Sequence, residues 1–500
     1  MTEDLLSSFA NSRKRVVLVG AGEAGFSVAK ELALNPNLAL HPVAIVDDDS
    51  SKHGSTIWNV PVIGSLCEIE GLVRNNNVDE VFICIPSATR SEISKILDIC
   101  LSCEIPVRTL PSLSELINER TSWRELHRPC IEDILRRNEV HLETGEVREV
   151  IRGKMVLVSG AGGSIGSELC RQIAAADPRC LLLLDKSENS LFYRNLEIRD
   201  YFPKLQTHPL LLDVVHRQQI ETVFREFRPE LVFHAAAFKH VGLCEGHPVQ
   251  TMQNNVIGTR NIAVAAASAG VHRFVNISSD KAVNPSNLMG LSKKLTELSI
   301  QEISRSYPGR FSSVRFGNVA GSTGSVIRLF CDQIQKGGPL RISDPRATRY
   351  FIAIPEAVYL IIRAAQLCRV GETFVFDMGE PISIVELAKT LCLLSGLKPY
   401  VDIPIEFVGI QEGEKLNEEL WEDWEKPTRT STDGILVLAE QDPRSFGILK
   451  AIEALESDID GNNVTELVER VRHLCSDTGR TWRDHDPDAH RQWLVARSET

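Results

Sequence analysis

Two stretches of the chain open in the same way. Residues 14–30 read K-R-V-V-L-V-G-A-G-E-A-G-F-S-V-A-K, and residues 153–169 read G-K-M-V-L-V-S-G-A-G-G-S-I-G-S-E-L. Each is a short apolar run, a glycine-rich turn, and then apolar positions at helical spacing. That order is the first unit of a doubly wound α/β domain. Its recurrence about 140 residues later predicts two Rossmann-like domains in series.

The first domain, 1–112, continues with strands in H-P-V-A-I-V-D-D-D, V-D-E-V-F-I-C-I-P and E-I-P-V-R-T-L-P. Helical stretches between them predict a parallel sheet. A linker over 113–152 holds R-P-C-I-E-D-I-L and a hairpin around E-T-G-E-V. The second domain, 153–440, offers strands at M-V-L-V-S, C-L-L-L-L-D, P-L-L-L-D-V, L-V-F-H-A-A-A, R-F-V-N-I-S-S and S-S-V-R-F-G-N. Beyond residue 320 the alternation becomes less regular. A small mixed α/β lobe is expected there, built from 325–360 and 395–440 and closing over the cleft to bind substrate. The extension 441–500 contains a helix in D-I-D-G-N-N-V-T-E-L-V-E-R-V-R-H-L and a polar tail, T-W-R-D-H-D-P-D-A-H-R-Q-W.

Composition narrows the class. Lys plus Arg is 55 against 67 Asp plus Glu, a net charge of -12, which speaks against nucleic acid or an anionic membrane as partner. No apolar run reaches the roughly 18–20 residues that span a bilayer. The first fifteen residues lack the apolar core of a secretory signal, so a cytoplasmic protein is expected. Twelve cysteines sit mostly in apolar stretches and read as reduced core residues. The one C-x-x-C, Cys100 and Cys103, falls on an amphipathic helix and reads as packing; no metal site is expected.

The second glycine turn carries Gly160, Gly163 and Gly166, with Ser164 and Ile165 opening the helix. Asp185 ends the next strand, nineteen residues beyond Gly166, where a carboxylate bonds the adenosine ribose and repels a 2′-phosphate. NAD is therefore expected over NADP, with Lys186 the neighbour that tempers the preference. Asp213 and Val214 end the third strand, on the adenine side, and Ala235 and Ala236 follow the fourth. The first turn carries Gly20, Gly22 and Gly25, with Asp47 twenty-two residues on. By spacing it is a complete dinucleotide fingerprint without attached catalytic groups. A second nucleotide site and a purely structural domain both stay open.

Residues 274–294 read F-V-N-I-S-S-D-K-A-V-N-P-S-N-L-M-G-L-S-K-K. A strand ends at the edge where doubly wound sheets bind ligands, and a helix follows. With the glycine turn, this segment resembles the extended short-chain dehydrogenase/reductase superfamily. Within it, S-S-D-K-A-V-N-P-S-N-L-M-G-L-S-K resembles the nucleotide-sugar 4,6-dehydratases of bacterial polysaccharide biosynthesis, which act on UDP-N-acetylglucosamine. V-F-H-A-A-A-F-K-H-V, N-N-V-I-G-T, V-R-F-G-N-V, T-R-Y-F, D-M-G-E-P and G-E-K-L follow in family order, and the resemblance covers about residues 13–425.

The resemblance implies the roles. Most of the superfamily uses a Tyr four residues before a Lys; here Met289 precedes Lys293. Methionine has no proton to give or take, and in the long dehydratases it is the family's own residue at this position. The carbon 4 hydroxyl proton then leaves through Asp280, by way of Ser279. Lys281, held partly neutral by burial and by Lys293, takes the carbon 5 proton, and protonated Asp280 donates to the departing carbon 6 hydroxyl. Lys239, Asn318, Arg349 and Glu414 resemble substrate-contacting positions, the last two facing the UDP and its ribose. Four positions depart from the pattern: Ser279 for Thr, Phe238 for Tyr, Thr323 for Arg or Asn, and Gln411 for Arg. The loss of two cationic candidates bears on which UDP-sugar is taken.

The reading is thus an NAD-dependent UDP-N-acetylhexosamine 4,6-dehydratase. Alternatives are the same reaction with inversion at carbon 5, an epimerase or plain oxidoreductase, and a catalytically silent nucleotide-sugar sensor. A homo-oligomer is expected, because superfamily members associate through helices flanking the active site.

Overall fold

A computed structural model describes residues 14–75, 78–88, 90–110, 144–307, 309–438, 441–461 and 463–476. R-P-C-I-E-D-I-L and the polar tail expected from sequence lie outside the described residues. The contacts divide the chain into two compact units. One holds residues 1–139, 324–347 and 382–409, and the other 140–323, 348–381 and 410–500.

The first unit is built on a six-stranded sheet. Its strands are β1 (Lys14–Val19), β2 (Leu40–Val46), β3 (Thr56–Ile57), β4 (Val60–Gly64), β5 (Glu80–Ile83) and β6 (Val107–Thr109), in the order β3-β4-β2-β1-β5-β6. All pairings are parallel except β3 with β4. The β3–β4 pair was not foreseen, since two and five residues leave little period to read. Helix α1 (Glu23–Leu34) follows the first glycine turn and buries Val28, Ala29 and Leu32 on the sheet. Cys100 is fully buried on helix α2 (Arg90–Ser102), where it packs as a core residue, and Cys103 is partly buried.

The second unit carries a nine-stranded sheet. Its strands are β7 (Met155–Ser159), β8 (Cys180–Asp185), β9 (Thr207–Leu211), β10 (Leu231–His234), β11 (Arg273–Ile277), β12 (Arg310–Arg315), β13 (Thr373–Phe376), β14 (Pro427–Arg429) and β15 (Ile435–Leu438). The order is β14-β15-β13-β12-β11-β10-β7-β8-β9. Strands β7 to β13 run parallel, and β14–β15 is an antiparallel hairpin added at one edge. Strands β7 and β8 are aliphatic at nearly every position because helices cover both faces. Chain order reverses at β7, between β8 and β10, and that crevice is where ligands bind in such sheets.

Two expectations need correction here. The lobe expected from 325–360 and 395–440 is split: 324–347 and 382–409 belong to the first unit, while 348–381 and 410–438 complete the second. In the first unit the helix Val326–Gln335 packs on Ile384–Leu394, and Leu340–Ile342 pairs in parallel with Ile405–Phe407. The hairpin expected around E-T-G-E-V is instead a helix, Thr144–Ile151. Its Glu146 accepts the Tyr359 hydroxyl and pairs with Arg363, and Val147, Val150 and Ile151 enter the core, so tertiary burial overrides the turn tendency of Gly145.

The helix expected in D-I-D-G-N-N-V-T-E-L-V-E-R-V-R-H-L forms as α5 (Val464–Cys475), and a further helix that was not foreseen, α4 (Ile448–Asp460), precedes it. Both pack on α3 (Leu288–Ser306), the long helix after the S-S-D-K segment, through Leu291, Leu295, Leu298, Ile452, Leu455, Leu467 and Val471. Glu302 of α3 accepts the Gly447 and Leu449 backbone N–H groups at 2.9 and 2.7 Å. A carboxylate thus caps a helix whose own N-cap, Gly447, has no side chain. Lys294 pairs with Glu422 and Asp442 at 2.8 and 3.0 Å, and Arg444 closes on the same two carboxylates. This face of α3 is therefore covered from within the chain.

Candidate active site

The glycine turn after β7 is fixed by close approach. Gly160 has φ +69°, and a Cβ there would lie 2.8 Å from the Ala235 carbonyl carbon and the Ala236 nitrogen. A Cβ on Gly166 would lie 2.0 Å from the Gly160 oxygen. Gly162, which the G-x-x-G-x-x-G spacing passed over, faces Ser190, whose Cβ would be 2.4 Å away. The helix Ser164–Ala175 starts directly behind, so its first N–H groups point at the turn. Ile165 packs into the core, and the Ser164 hydroxyl lies 3.3 Å from that of Thr323.

A cleft of about 160 Å³ opens beside this turn. Gly160, Gly163, Asp185, Asp213, Val214, Ala235 and Ala236 all line it, which brings together most of the positions expected to hold a dinucleotide. Asp185 accepts the Gly162 N–H at 2.9 Å and the Ser187 N–H at 2.8 Å. Lys186 is drawn to the other side of the cleft. Its ammonium lies 2.9 Å from Asn254 Oδ1, 3.6 Å from Asp213 and 4.4 Å from the centre of the Phe238 ring. Asn254 and Phe238 were not foreseen as lining groups.

The first glycine turn uses the same device. Gly20 has φ +106°, and a Cβ on Gly25 would lie 1.9 Å from the Gly20 oxygen. Asp47 accepts the Ala21 N–H at 2.7 Å, as Asp185 does for Gly162. Asp47 also holds Lys52 at 3.0 Å. Burial pushes its carboxyl up, but the two backbone N–H groups and Lys52 outweigh that and hold it below the usual range. Gly22 has nothing within 4 Å of its Cβ position.

At the end of β11 the chain turns through Ser279 into one turn of 3-10 helix, Asp280–Ala282. The Ser279 hydroxyl donates to Asp280 Oδ1 at 2.8 Å, and Lys281 Nζ donates to the same oxygen at 2.9 Å. Asp280 is fully buried, and its Oδ2 has no hydrogen-bond partner. Lys281 Nζ also donates to Asn318 Oδ1 at 3.2 Å and lies 3.5 Å from Glu418 Oε1. Burial pushes the Lys281 ammonium down, but the Asp280 and Glu418 carboxylates outweigh it, so its pKa lies above the usual lysine value. The expectation of a partly neutral Lys281 is thereby overturned: two anions face it, and Lys293 does not set its charge. Lys293 is the depressed amine. Burial pushes it down to about 8, and its Nζ donates to the Ile277 carbonyl at 2.8 Å.

Met289 is buried in the first turn of α3, four residues before Lys293. Asn287 caps that helix through the Gly290 N–H and donates to the Gly413 carbonyl at 2.8 Å, which ties the helix start to the 411–419 loop. Arg349 orders the same loop. Its guanidinium donates to the Thr348, Leu416 and Lys415 carbonyls and to Glu414 Oε1 at 3.0 Å. Arg349 and Glu414 thus meet each other. Lys239 donates to the Ser322 hydroxyl at 3.2 Å.

Residues 156–440 match the model of a family described as polysaccharide biosynthesis protein, and residues 3–111 match a CoA-binding domain. This chain belongs to the polysaccharide biosynthesis protein family. It is 42% identical over 407 residues to a probable polysaccharide biosynthesis protein, EpsC, of Bacillus subtilis (strain 168), covering 81% of this chain and 68% of that one. It is 41% identical over 414 residues to the capsular polysaccharide biosynthesis protein CapD of Staphylococcus aureus, covering 82% and 69%. Among solved structures, Pen from Bacillus thuringiensis superposes with a TM-score of 0.53 at 30% identity, covering 58% of this chain and 90% of that one. Among the described residues of this family member, no helix is long and apolar enough to cross a membrane.

Within this member of the family, Glu418 is a further site residue that sequence reasoning missed. It is buried on the 411–419 loop, with one oxygen 3.5 Å from Lys281 and the other without a hydrogen bond. Its only sequence signal was its place four residues after Glu414 in G-E-K-L-N-E-E-L.

Proposed function

We propose that this protein dehydrates a UDP-N-acetylhexosamine, with UDP-N-acetylglucosamine the first candidate, to the UDP-4-keto-6-deoxy sugar. The observation that carries this reading is the Asp280–Lys281 pair, joined at 2.9 Å, with Asp280 Oδ2 buried and unpartnered and Met289 where a tyrosine base would stand. An epimerase or simple dehydrogenase needs one proton acceptor for a hydroxyl. An elimination needs an acid and a base together, and a carboxyl and an amine on adjacent residues supply both.

The residues fit NAD. A turn with no room for Cβ atoms lets a pyrophosphate approach the backbone, the helix Ser164–Ala175 points its N–H groups at it, and Asp185 stands at the ribose position. When bound, the nicotinamide supplies acceptance of hydride from carbon 4 and its return at carbon 6. The chain moves the protons. Asp280, reached through the Ser279 hydroxyl, takes the carbon 4 hydroxyl proton. Lys281 removes the carbon 5 proton, which the new ketone has acidified. Asp280 then gives its proton to the leaving carbon 6 hydroxyl. Arg349 positions the loop that carries Glu414, and Lys239 and Asn318 reach toward the sugar.

The test is proton NMR of the purified protein with NAD and UDP-N-acetylglucosamine in heavy water. A new 6-deoxy methyl signal with deuterium at carbon 5 is expected, and its couplings tell retention from inversion there. Failure with a panel of UDP-sugars, while nucleotide still binds, favours the silent sensor instead.

A further inference from the structure

The proposed dehydration, on which this inference rests, leaves one proton without a place. Lys281 faces Asp280 from its own turn, Glu418 from the 411–419 loop and Arg349 from the strand Thr348–Arg349. Of these three groups two are anions, so Lys281 starts as an ammonium, which cannot accept the carbon 5 proton. Asp280 cannot relieve it, because Asp280 must carry the carbon 4 hydroxyl proton until the carbon 6 hydroxyl leaves.

We propose that Glu418 takes the Lys281 proton for the duration of the elimination and returns it afterwards. Glu418 Oε1 stands 3.5 Å from Lys281 Nζ, so a few tenths of an ångström bring them to hydrogen-bond distance. Its other oxygen is buried without a hydrogen bond, 4.0 Å from Lys415 Nζ, which is itself anchored to the Val283 carbonyl at 2.7 Å. Lys415 also lies 3.9 Å from Glu419, so Glu418 does not own that cation. A carboxyl so buried is costly as an anion once its partner is neutral.

The order of events balances. Asp280 gains the carbon 4 hydroxyl proton and becomes neutral, and Lys281 loses one of the two anions that held it charged. A Lys281 N–H bond then breaks and an O–H bond forms on Glu418. The free amine forms a new N–H bond with the carbon 5 proton. The electron pair of the C5–H bond becomes the C5–C6 π bond as the C6–O bond breaks, and the Asp280 proton leaves in water. When carbon 6 is reduced, the Lys281 ammonium returns a proton to carbon 5. Glu418 then returns its own to Lys281, and the site is as it began. In this scheme Glu418 acts through Lys281 and is a positioning residue for its proton.

The test is Glu418→Gln, with Glu418→Asp beside it, in the full chain with NAD and the sugar that wild type converts. Gln keeps the shape and cannot take the proton. In Glu418→Gln, 6-methyl formation should fall at least about 100-fold, within the range a proton-transfer group contributes. The absorbance rise at 340 nm on adding sugar should persist, since oxidation at carbon 4 does not use Glu418. Methyl formation in Glu418→Gln should climb as pH rises, because Lys281, with one anion fewer, gives up its proton to solvent more readily. Glu418→Asp should recover much of the loss. In the ligand-free protein, lysine Nζ NMR should show Lys281 titrating lower in Glu418→Gln. Full methyl formation in Glu418→Gln overturns the inference and leaves the dehydratase reading intact. So does parallel loss of both signals at every pH. A wild-type chain that forms no methyl from any UDP-sugar overturns the reading and the inference together.

Discussion

Lys293 gives a prediction in which stability and pH decide the matter without any substrate. Its Nζ is buried, donates to one carbonyl, and has its pKa pushed by burial from 10.5 to about 8. The unfolded chain binds this proton up to about pH 10.5, and the folded chain releases it near 8. Between those values the unfolded state holds more protons, so stability from this group rises with pH. At pH 7 both states are charged, and the folded state carries a penalty of about 3 kcal/mol at 1.36 kcal/mol per unit. By pH 9.5 the penalty has shrunk to roughly 1.4 kcal/mol.

Lys293→Met removes the titration and keeps the volume. It also leaves the Ile277 carbonyl without its donor, at a cost of about 1–3 kcal/mol that does not depend on pH. The absolute difference between the two proteins is therefore uninformative, and its change with pH is not. Wild type should gain about 2 kcal/mol on the variant between pH 7 and 9.5, read from urea unfolding of cofactor-free protein. Parallel stability curves would refute the depressed lysine.

Other outcomes follow from single contacts. Gly166→Ala places a Cβ 2.0 Å from the Gly160 oxygen and should cost about 3 kcal/mol or more and abolish nucleotide binding by calorimetry, whereas Gly242→Ala, with open space, should be near neutral. Burial pushes the Asp442 carboxyl up, but Arg444 and Lys294 outweigh it and hold it at about 2, below its usual 3.8. The stability it contributes, about 2.5 kcal/mol, is present above pH 4 and lost as pH falls toward 2; Asp442→Asn should flatten that acid limb of the unfolding curve. Arg349→Lys cannot span the Thr348, Lys415 and Leu416 carbonyls and Glu414 together, and should raise KM for the sugar roughly tenfold with a smaller change in kcat. A chain ending at residue 440 uncovers Leu291, Leu295 and Leu298 and should self-associate by light scattering; a monodisperse monomer would refute the covering role of α4 and α5.

What could be read from sequence divides along a physical line. The positions of the glycine turns, the strand-end acids and the S-S-D-K segment at the carboxyl edge of the sheet were legible because strand–turn–helix units are local pieces at fixed offsets. Gly160, Gly166, Asp185 and Asp280 needed only a strand before and a helix after. Gly162 was missed because its reason is Ser190, on another helix. The charge on Lys281 was misread for the same cause. Lys293, twelve residues away, looked like the neighbour that mattered, but the deciding anion besides Asp280 is Glu418, brought to 3.5 Å by a loop 137 residues further on. Cleaving the expected lobe into two units has a like origin: periodicity at 324–347 and 382–409 gives helices and strands but not the body they join. Arg349 shows how far this reaches into chemistry. As a residue type it suits a diphosphate, yet here three carbonyls and Glu414 engage its guanidinium. Its first task is thus to hold the loop on which Glu418 sits, and a sequence motif that names both ends of such a pair cannot say that they meet each other before they meet a ligand.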